Sequence, residues 1–163
     1  MHPRARQLIA SLDLQAHPEG GFYREVHRSA LTVQRQDGAT RPALTTIYFL
    51  IVAGAASQWH RVAADEIWHF YEGDPLELGS ANPEATEITV VRLGPLAGDA
   101  QPVRVVPAGG WQAARSLGEY TLVGCSVGPG FDFADFSLLR DLAATQPALS
   151  ARLLAFDAFK RAD

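Results

Sequence analysis

The chain has 163 residues, of which 47% are hydrophobic and 20% are charged, so it is long enough to bury one substantial core. Its 18 acidic and 14 basic residues give a formal net charge of -4, and the basic residues are scattered singly along the sequence. This distribution argues against nucleic acid and anionic membranes as partners. No stretch approaches the ~20 apolar residues that a membrane-spanning helix needs.

The one cysteine and the N-terminal stretch bear on the compartment. Cys125 cannot form an intrachain disulfide and stands in the apolar run 121–127, so we expect a buried thiol and a reducing environment. Near the N-terminus, Asp13 follows only a short apolar patch, which argues against a signal peptide. We therefore expect a soluble, cytoplasmic protein.

The predicted elements begin with one helix and continue with strands. Leu8, Ile9 and Leu12 are spaced for one face of a helix over residues 4–14, and the sequence HPEGG at 17–21 ends that helix. The polar stretch 34–42 is expected to be a loop. Short strand-like segments, separated by glycine or proline, are predicted at 22–29, 44–52, 56–60, 65–72, 75–79, 86–93, 102–106, 111–115 and 120–127. Such a series predicts an antiparallel sandwich or barrel.

The C-terminal part is predicted to be helical. Asp135 or Ser137 is expected to cap a first helix that carries Leu138, Leu139 and Leu142, and a second helix follows Pro147. These helices, at roughly 136–160, are expected to pack on the outside of a β core at roughly 21–134. The whole chain, 1–163, is therefore predicted to be a single domain.

The segment 57–73, SQWHRVAADEIWHFYEG, concentrates residues that carry chemistry. Because side chains alternate along a strand, Gln58 and His60 are expected to share one face. On the next strand Glu66, Trp68 and Phe70 share a face, and His69 points to the opposite one. Two strands are thus expected to converge on one interior point.

Five blocks resemble the cupin superfamily, and within it a family of small single-domain cupins whose biochemical role is undefined. The blocks are HPEGGFYRE (17–25), SQWHRV (57–62), DEIWHFYEGDPLEL (65–78), VPAGGWQAA (106–114) and VGCSVGPGFDFADF (123–136). The resemblance implies a double-stranded β-helix, or jelly-roll barrel, that usually assembles as a homodimer. It implies no particular substrate.

Metal-dependent cupins bind their ion through two histidines and a glutamate of a first motif and a histidine of a second. On that pattern the four ligand positions of this chain hold Gln58, His60, Glu66 and Gln112. Amide oxygens are poor replacements for imidazole, so we expect at most a weakly bound divalent metal.

The competing hypothesis is a metal-free cavity that binds a small molecule. In it the same four side chains form a hydrogen-bonding set, and Tyr48, Trp68 and Phe70 supply an aromatic wall. If the protein is an enzyme, His60 is the predicted general base, Glu66 orients it, and the two glutamines hold substrate oxygens. That arrangement suits isomerisation or epimerisation of a sugar-like or polar metabolite.

Three other interpretations stay open. The protein could be a metal-dependent dioxygenase or isomerase, or a binding module without catalysis, or its buried polar residues could only satisfy one another. Among the remaining polar residues, His17 could cap the mouth of a pocket but is expected rather to serve turn formation. Arg24 could hold an anionic group of a substrate, or pair on the surface with Glu25 or Glu19.

Overall fold

The computed structural model describes residues 1–156, which form strands for most of their length and helices near both ends. In chain order the elements are α1 (Pro3–Ser11), β1 (Gln15–Ala16), β2 (Phe22–Arg28), β3 (Thr32–Gln34), β4 (Thr40–Pro42), β5 (Thr45–Val52), β6 (Ala56–Val62), β7 (Asp65–Gly73), β8 (Leu76–Ala81), β9 (Ile88–Leu93), β10 (Val103–Val106), β11 (Trp111–Ser116), β12 (Tyr120–Gly128), a 3-10 turn (Phe133–Asp135), β13 (Phe136–Leu138), α2 (Leu139–Leu142) and α3 (Pro147–Leu154).

Two antiparallel sheets carry the fold. The first has the strand order β1-β2-β5-β12-β7-β10, and the second has the order β13-β6-β11-β8-β9. A buried cluster that includes Phe49 and Trp68 of the first sheet and Leu76 and Leu78 of the second fills the space between them. The mainly-β fold predicted from the short, turn-separated strands is therefore confirmed.

The helices pack on the outer faces of the sheets, as predicted. Ala5 and Leu8 of α1 lie against Leu50 and Leu122 of the first sheet. On the second sheet Trp59, Trp111 and Ala113 form one cluster with the apolar side chains of α2 and α3, which are Leu139, Leu149 and Leu153. The predicted end of the second C-terminal helix, residues 157–160, lies outside the described residues. No helix in the described part of the chain is long and apolar enough to cross a membrane.

The start of the first C-terminal helix differs from the prediction. Residues 136–138 form β13, which pairs with β6 and places Phe136 opposite Val62, so the helix begins only at Leu139. Leu138 stands at the N-cap and its side chain makes no capping hydrogen bond. The capping role predicted for Asp135 or Ser137 is therefore wrong, because Ser137 lies in β13 and the carboxylate of Asp135 is bound by Arg35 and Arg41.

The predicted loop at 34–42 has a hairpin at its ends. β3 and β4 pair with Val33 opposite Arg41, which leaves only the turn between them irregular. Arg41 and Arg35 both bind the carboxylate of Asp135, at 2.7 and 2.8 Å. These ion pairs fasten the hairpin to the segment that precedes β13.

Candidate active site

A cavity of about 300 Å³ opens between the two sheets. Strands β2, β5, β6, β7 and β12 contribute to its wall, together with the HPEGG loop and the segment before β13. The lining residues are His17, Glu19, Tyr23, Glu25, Arg28, Thr45, Ile47, Phe49, His60, Val62, Glu66, Cys125, Val127, Phe131, Phe133 and Phe136. The cavity is thus apolar over most of its wall, with ionisable groups gathered in one part of it, as ligand sites usually are.

The HPEGG loop brings a carboxylate into the interior. Gly20 has φ 110°, and a Cβ at this position would run into the carbonyl oxygen of Ala56 on β6. The loop is held in place because the backbone N–H of Gln58 donates to the carbonyl oxygen of Glu19 at 2.8 Å. This close approach buries Glu19, which is only 5% exposed.

Glu19 and His60 lie in contact in the cavity wall. The Nδ1 of His60 lies 2.8 Å from the carbonyl oxygen of Gln58, which can only accept, so Nδ1 carries a hydrogen. The other ring nitrogen, Nε2, lies 3.1 Å from Oε2 of Glu19, close enough for a proton to pass between the two atoms. The hydroxyl of Ser57 donates to the remaining oxygen, Oε1, at 3.0 Å.

Burial sets the resting state of this pair. Desolvation raises the pKa of Glu19 well above its usual value, and the nearby Glu66 adds to the rise. Desolvation also lowers the pKa of His60 to about 4, against a smaller opposing effect of its bond to Gln58. Both shifts favour the uncharged pair, in which a protonated Glu19 carboxyl lies 3.1 Å from Nε2 of a neutral imidazole.

His17 is a second neutral imidazole in the cavity wall. The backbone N–H of Glu19 donates to its Nδ1 at 3.3 Å, which leaves the ring hydrogen on Nε2. Burial lowers the pKa of His17 to about 4. The ring also packs edge-on against Tyr23, with 4.5 Å between the centroids. His17 is therefore a fixed N–H donor as well as part of the turn that the sequence indicated.

Glu66 is held by a chain of buried side chains. The indole N–H of Trp68 donates to Oε1 of Gln112 at 2.9 Å, which orients the amide. Gln112 then donates from Nε2 to Oε2 of Glu66 at 2.5 Å. Burial raises the pKa of Glu66 to about 7, although the hydrogen bonds from Gln112 and from the Cys125 thiol lower it. Glu66 can therefore exchange a proton near neutral pH.

The predicted polar set is only partly brought together. His60 and Glu66 line the cavity, but the partner of the imidazole is Glu19 rather than Glu66. Gln112 lies behind Glu66, where it positions that carboxyl instead of reaching a ligand directly.

Gln58 does not share a face with His60, which corrects the prediction. Gln112 pairs with His60 and Ala114 pairs with Ser57, so two residues of β6 lie opposite Ala113 alone. This β-bulge breaks the side-chain alternation. The amide of Gln58 accepts a hydrogen bond from Arg140 at 3.2 Å, beside α2 and outside the cavity.

The predicted aromatic wall is also placed elsewhere. Trp68 is buried in the core between the sheets, and Phe70 packs against the same core cluster. Tyr48 packs with the α1 cluster on the outer face. The aromatic side chains that do line the cavity are Tyr23, Phe49, Phe131, Phe133 and Phe136.

Sequence reasoning missed the role of Glu19, which was expected on the surface. Arg24 instead donates to the carbonyl oxygen of Leu12, and Glu25 pairs with Arg28 at 2.7 Å. The sequence feature that indicates the burial of Glu19 is the pair of glycines directly after it, since consecutive glycines often allow close approach of two backbones.

The side chains do not fit the four-ligand metal set of the cupins. Gln58 is turned out of the cavity, and Gln112 presents an N–H group to Glu66 rather than a free oxygen. The Nε2 of His60 is engaged by Glu19. Within residues 1–156, no group of three or more His, Cys, Asp or Glu side chains is arranged to hold a metal ion. We derive no chemical step through a metal.

The comparisons with known proteins agree with this architecture. The family model described as Cupin superfamily (DUF985) matches residues 6–139, which is most of the chain, so the chain belongs to this family. No curated protein matches the chain.

Two solved structures are similar over nearly their whole length. A hypothetical protein from Leishmania major is 32% identical, with coverage of 93% of this chain and 97% of that one and a TM-score of 0.82. A protein from Shewanella oneidensis is 36% identical, with 98% of both chains covered and a TM-score of 0.80. Oxalate decarboxylase from Bacillus subtilis is only 15% identical, covers 93% of this chain and 38% of that one, and has a TM-score of 0.60. That last similarity shows the cupin fold alone.

Proposed function

We propose that the protein binds a small, polar, carbonyl-bearing metabolite in its cavity and isomerises or epimerises it by proton transfer. The observation that carries this proposal is the 3.1 Å contact between Nε2 of His60 and Oε2 of Glu19 in a buried cavity wall. An acid and a base in contact at a cavity wall are the groups that general acid–base catalysis requires.

The two groups would act as one base. When substrate binds, movement of the carboxyl proton from Glu19 to Nε2 of His60 gives a buried carboxylate beside an imidazolium, and the attraction between the two charges offsets part of the cost of burying them. Because burial makes this carboxylate a strong base, it can take a proton from the carbon next to a substrate carbonyl. The imidazolium then stabilises the negative charge that develops on the substrate.

Two further groups complete the proposed mechanism. The Nε2–H of His17 donates to the substrate carbonyl oxygen, where the enolate charge collects. In an isomerisation, Nε2 of His60 gives its proton to the enolate oxygen and takes one from the neighbouring hydroxyl, while Glu19 returns its proton to the former carbonyl carbon, so both groups end as they began. In an epimerisation, a protonated Glu66 returns the proton to the opposite face of the same carbon, and the cycle closes when Glu19 loses its proton to solvent and Glu66 regains one from solvent.

Hydrogen exchange tests the proposal directly. Purified protein in deuterium oxide is incubated with a panel of aldoses, ketoses and 2-oxo acids, and each compound is followed by proton NMR. We expect at least one compound to lose its α-proton signal in the presence of the wild-type protein. Glu19→Gln should slow this exchange by at least ~100-fold.

The matched control is His27→Gln, because His27 is an exposed histidine on β2 outside the cavity wall. This variant should exchange at the wild-type rate. If compounds bind but none exchanges with the wild-type protein, the cavity belongs to a binding module and the catalytic part of the proposal is wrong.

We also propose that the chain works as a homodimer in the cytoplasm. The support for a dimer is a set of exposed apolar side chains on β7 and β10 of the first sheet, which are Tyr71, Val103 and Val105. The support for the compartment is the buried free thiol of Cys125. Light scattering of the wild-type protein and of Val105→Arg measures the mass: the variant should be monomeric, and a monomeric wild-type protein would refute the dimer.

A further inference from the structure

Glu66 is a buried carboxyl group without a cationic partner in the described chain. It is 7% exposed and lines the cavity, yet no Lys, Arg or His of residues 1–156 forms an ion pair with it. Its side-chain hydrogen bonds come from two uncharged groups, the amide of Gln112 and the thiol of Cys125. Buried carboxylates are normally paired with a cation, so the position invites a positive charge from a ligand.

The rest of the described lining does not supply that charge. Arg28 is its one arginine, and this side chain donates to both oxygens of Glu25, at 3.0 and 2.7 Å, and to the carbonyl oxygen of Phe131. His17 accepts a backbone N–H at Nδ1 and is therefore a neutral imidazole, and burial lowers the pKa of His60 to about 4, which keeps its ring neutral too. The described lining of the cavity therefore contains a carboxyl group without an ion-pair partner, and no cation that is free to pair with it.

Aromatic rings surround the same space. Phe131, Phe133 and Phe136 form a cluster with centroid separations of 5.0 to 6.1 Å, and Phe136 lies 5.5 Å from the His60 ring. Tyr23 and Phe49 line the cavity on the side of the first sheet. Aromatic faces attract organic cations, most strongly where water is excluded.

We infer that the ligand of this cavity carries a protonated amine, which binds the Glu66 carboxylate and packs against the aromatic lining. The inference rests on the proposed function for the carbonyl group of the same ligand, and it narrows the substrate class to amino sugars and related amino-carbonyl compounds. With such a ligand Glu66 is the carboxylate partner of the amine and supplies no proton, so the proposed reaction is the isomerisation. A volume of about 300 Å³ suits one monocyclic metabolite of this kind.

Matched pairs of compounds test the charge of the ligand separately from any reaction. Glucosamine is compared with glucose, and cyclohexylamine with cyclohexanol, by calorimetry at pH 7 in a chelator-containing buffer that removes metal ions. We expect each amine to bind at least tenfold more tightly than its uncharged counterpart. Equal affinity within both pairs would overturn the inference.

Variants locate the preference in the cavity. Glu66→Gln keeps the shape of the side chain and should reduce the preference for the amine to below threefold. Glu84→Gln removes the same charge from an exposed site and should leave the preference unchanged. Phe133→Leu, on a half-exposed side chain whose loss should not unfold the protein, should weaken amine binding more than alcohol binding. If both Glu66→Gln and Phe133→Leu kept the full preference for the amine over its uncharged counterpart, the amine would not bind beside Glu66 and the aromatic lining, and the inference would be wrong.

The two proposals fail in different ways. Tight amine binding without deuterium exchange in any compound would keep the ligand class and remove the proton-transfer function. Exchange into uncharged sugars, with no preference for amines, would keep proton transfer and remove the ligand class.

Discussion

Replacing Glu66 with glutamine should stabilise the protein increasingly as the pH rises from about 4.5 to about 7. Burial raises the pKa of this carboxyl from 4.5 to about 7 in the folded protein. Below pH 4.5 both the folded and the unfolded state keep the proton, and the group has no effect. Between the two values the unfolded state releases its proton while the folded state retains it, so unfolding becomes easier as the pH rises.

The size of the effect follows from the same shift. At about 1.4 kcal/mol for each tenfold change in the dissociation constant, a rise from 4.5 to about 7 costs the wild-type protein about 3 kcal/mol above pH 7. Glutamine cannot ionise and still accepts the hydrogen bond from Gln112, so the variant avoids this cost. The difference between the two proteins should therefore be small at pH 4 and reach its plateau near pH 7.5.

Urea unfolding of both proteins across pH 4 to 8 measures that difference. His17 and His60 act in the opposite direction, because their lowered pKa values destabilise the folded state as the pH falls from 6.5 to about 4. The histidines are present in both proteins, so their contribution largely cancels in the comparison. A difference that does not change with pH, or that decreases as the pH rises, would refute the burial of an ionisable Glu66.

Three further stability predictions use the same urea measurement. Gln112→Leu should lower the free energy of unfolding by about 2–4 kcal/mol, because an indole N–H and a carboxyl oxygen lose buried partners; a loss below ~1 kcal/mol would contradict the positioning role. Gly20→Ala should cost ~2 kcal/mol or more, since the new Cβ meets a carbonyl oxygen at positive φ, and should cost clearly more than Gly54→Ala, where positive φ is combined with open space. Asp135→Asn should cost up to ~1 kcal/mol by weakening the pairing that fastens the β3–β4 hairpin, whereas Asp99→Asn at an exposed pair should cost almost nothing; equal losses would argue against the fastening.

Much of the fold could be predicted because its signals are local. Short apolar strands between glycines and prolines indicated the two-sheet architecture, and the apolar spacing of Leu8 and Leu12 indicated α1. The bulge in β6 could not be predicted, because it depends on how Ala113 pairs across the sheet. One extra residue there was enough to move Gln58 out of the site.

The contents of the site depend on contacts between distant parts of the sequence. Nothing near His60 in sequence indicates that its partner comes from a loop 41 residues earlier. The aromatic lining was misassigned for a related reason, since alternation along β5 places Phe49 on the cavity side and Tyr48 on the other. Which face of a strand meets the cavity is decided by sheet packing rather than by the strand itself.

Two residues at cupin ligand positions, His60 and Gln112, contact carboxyl groups in this structure. The Nε2 of His60, which would donate its lone pair to a metal, faces Glu19 instead. The amide of Gln112, at the ligand position of the second motif, holds the Glu66 carboxyl by a hydrogen bond instead of binding a metal ion. Under the proposed function, the hydrogen bond from Gln112 to Glu66 and the contact of Glu19 with His60 are parts of one acid–base arrangement, whereas Gln58 lies outside it beside α2.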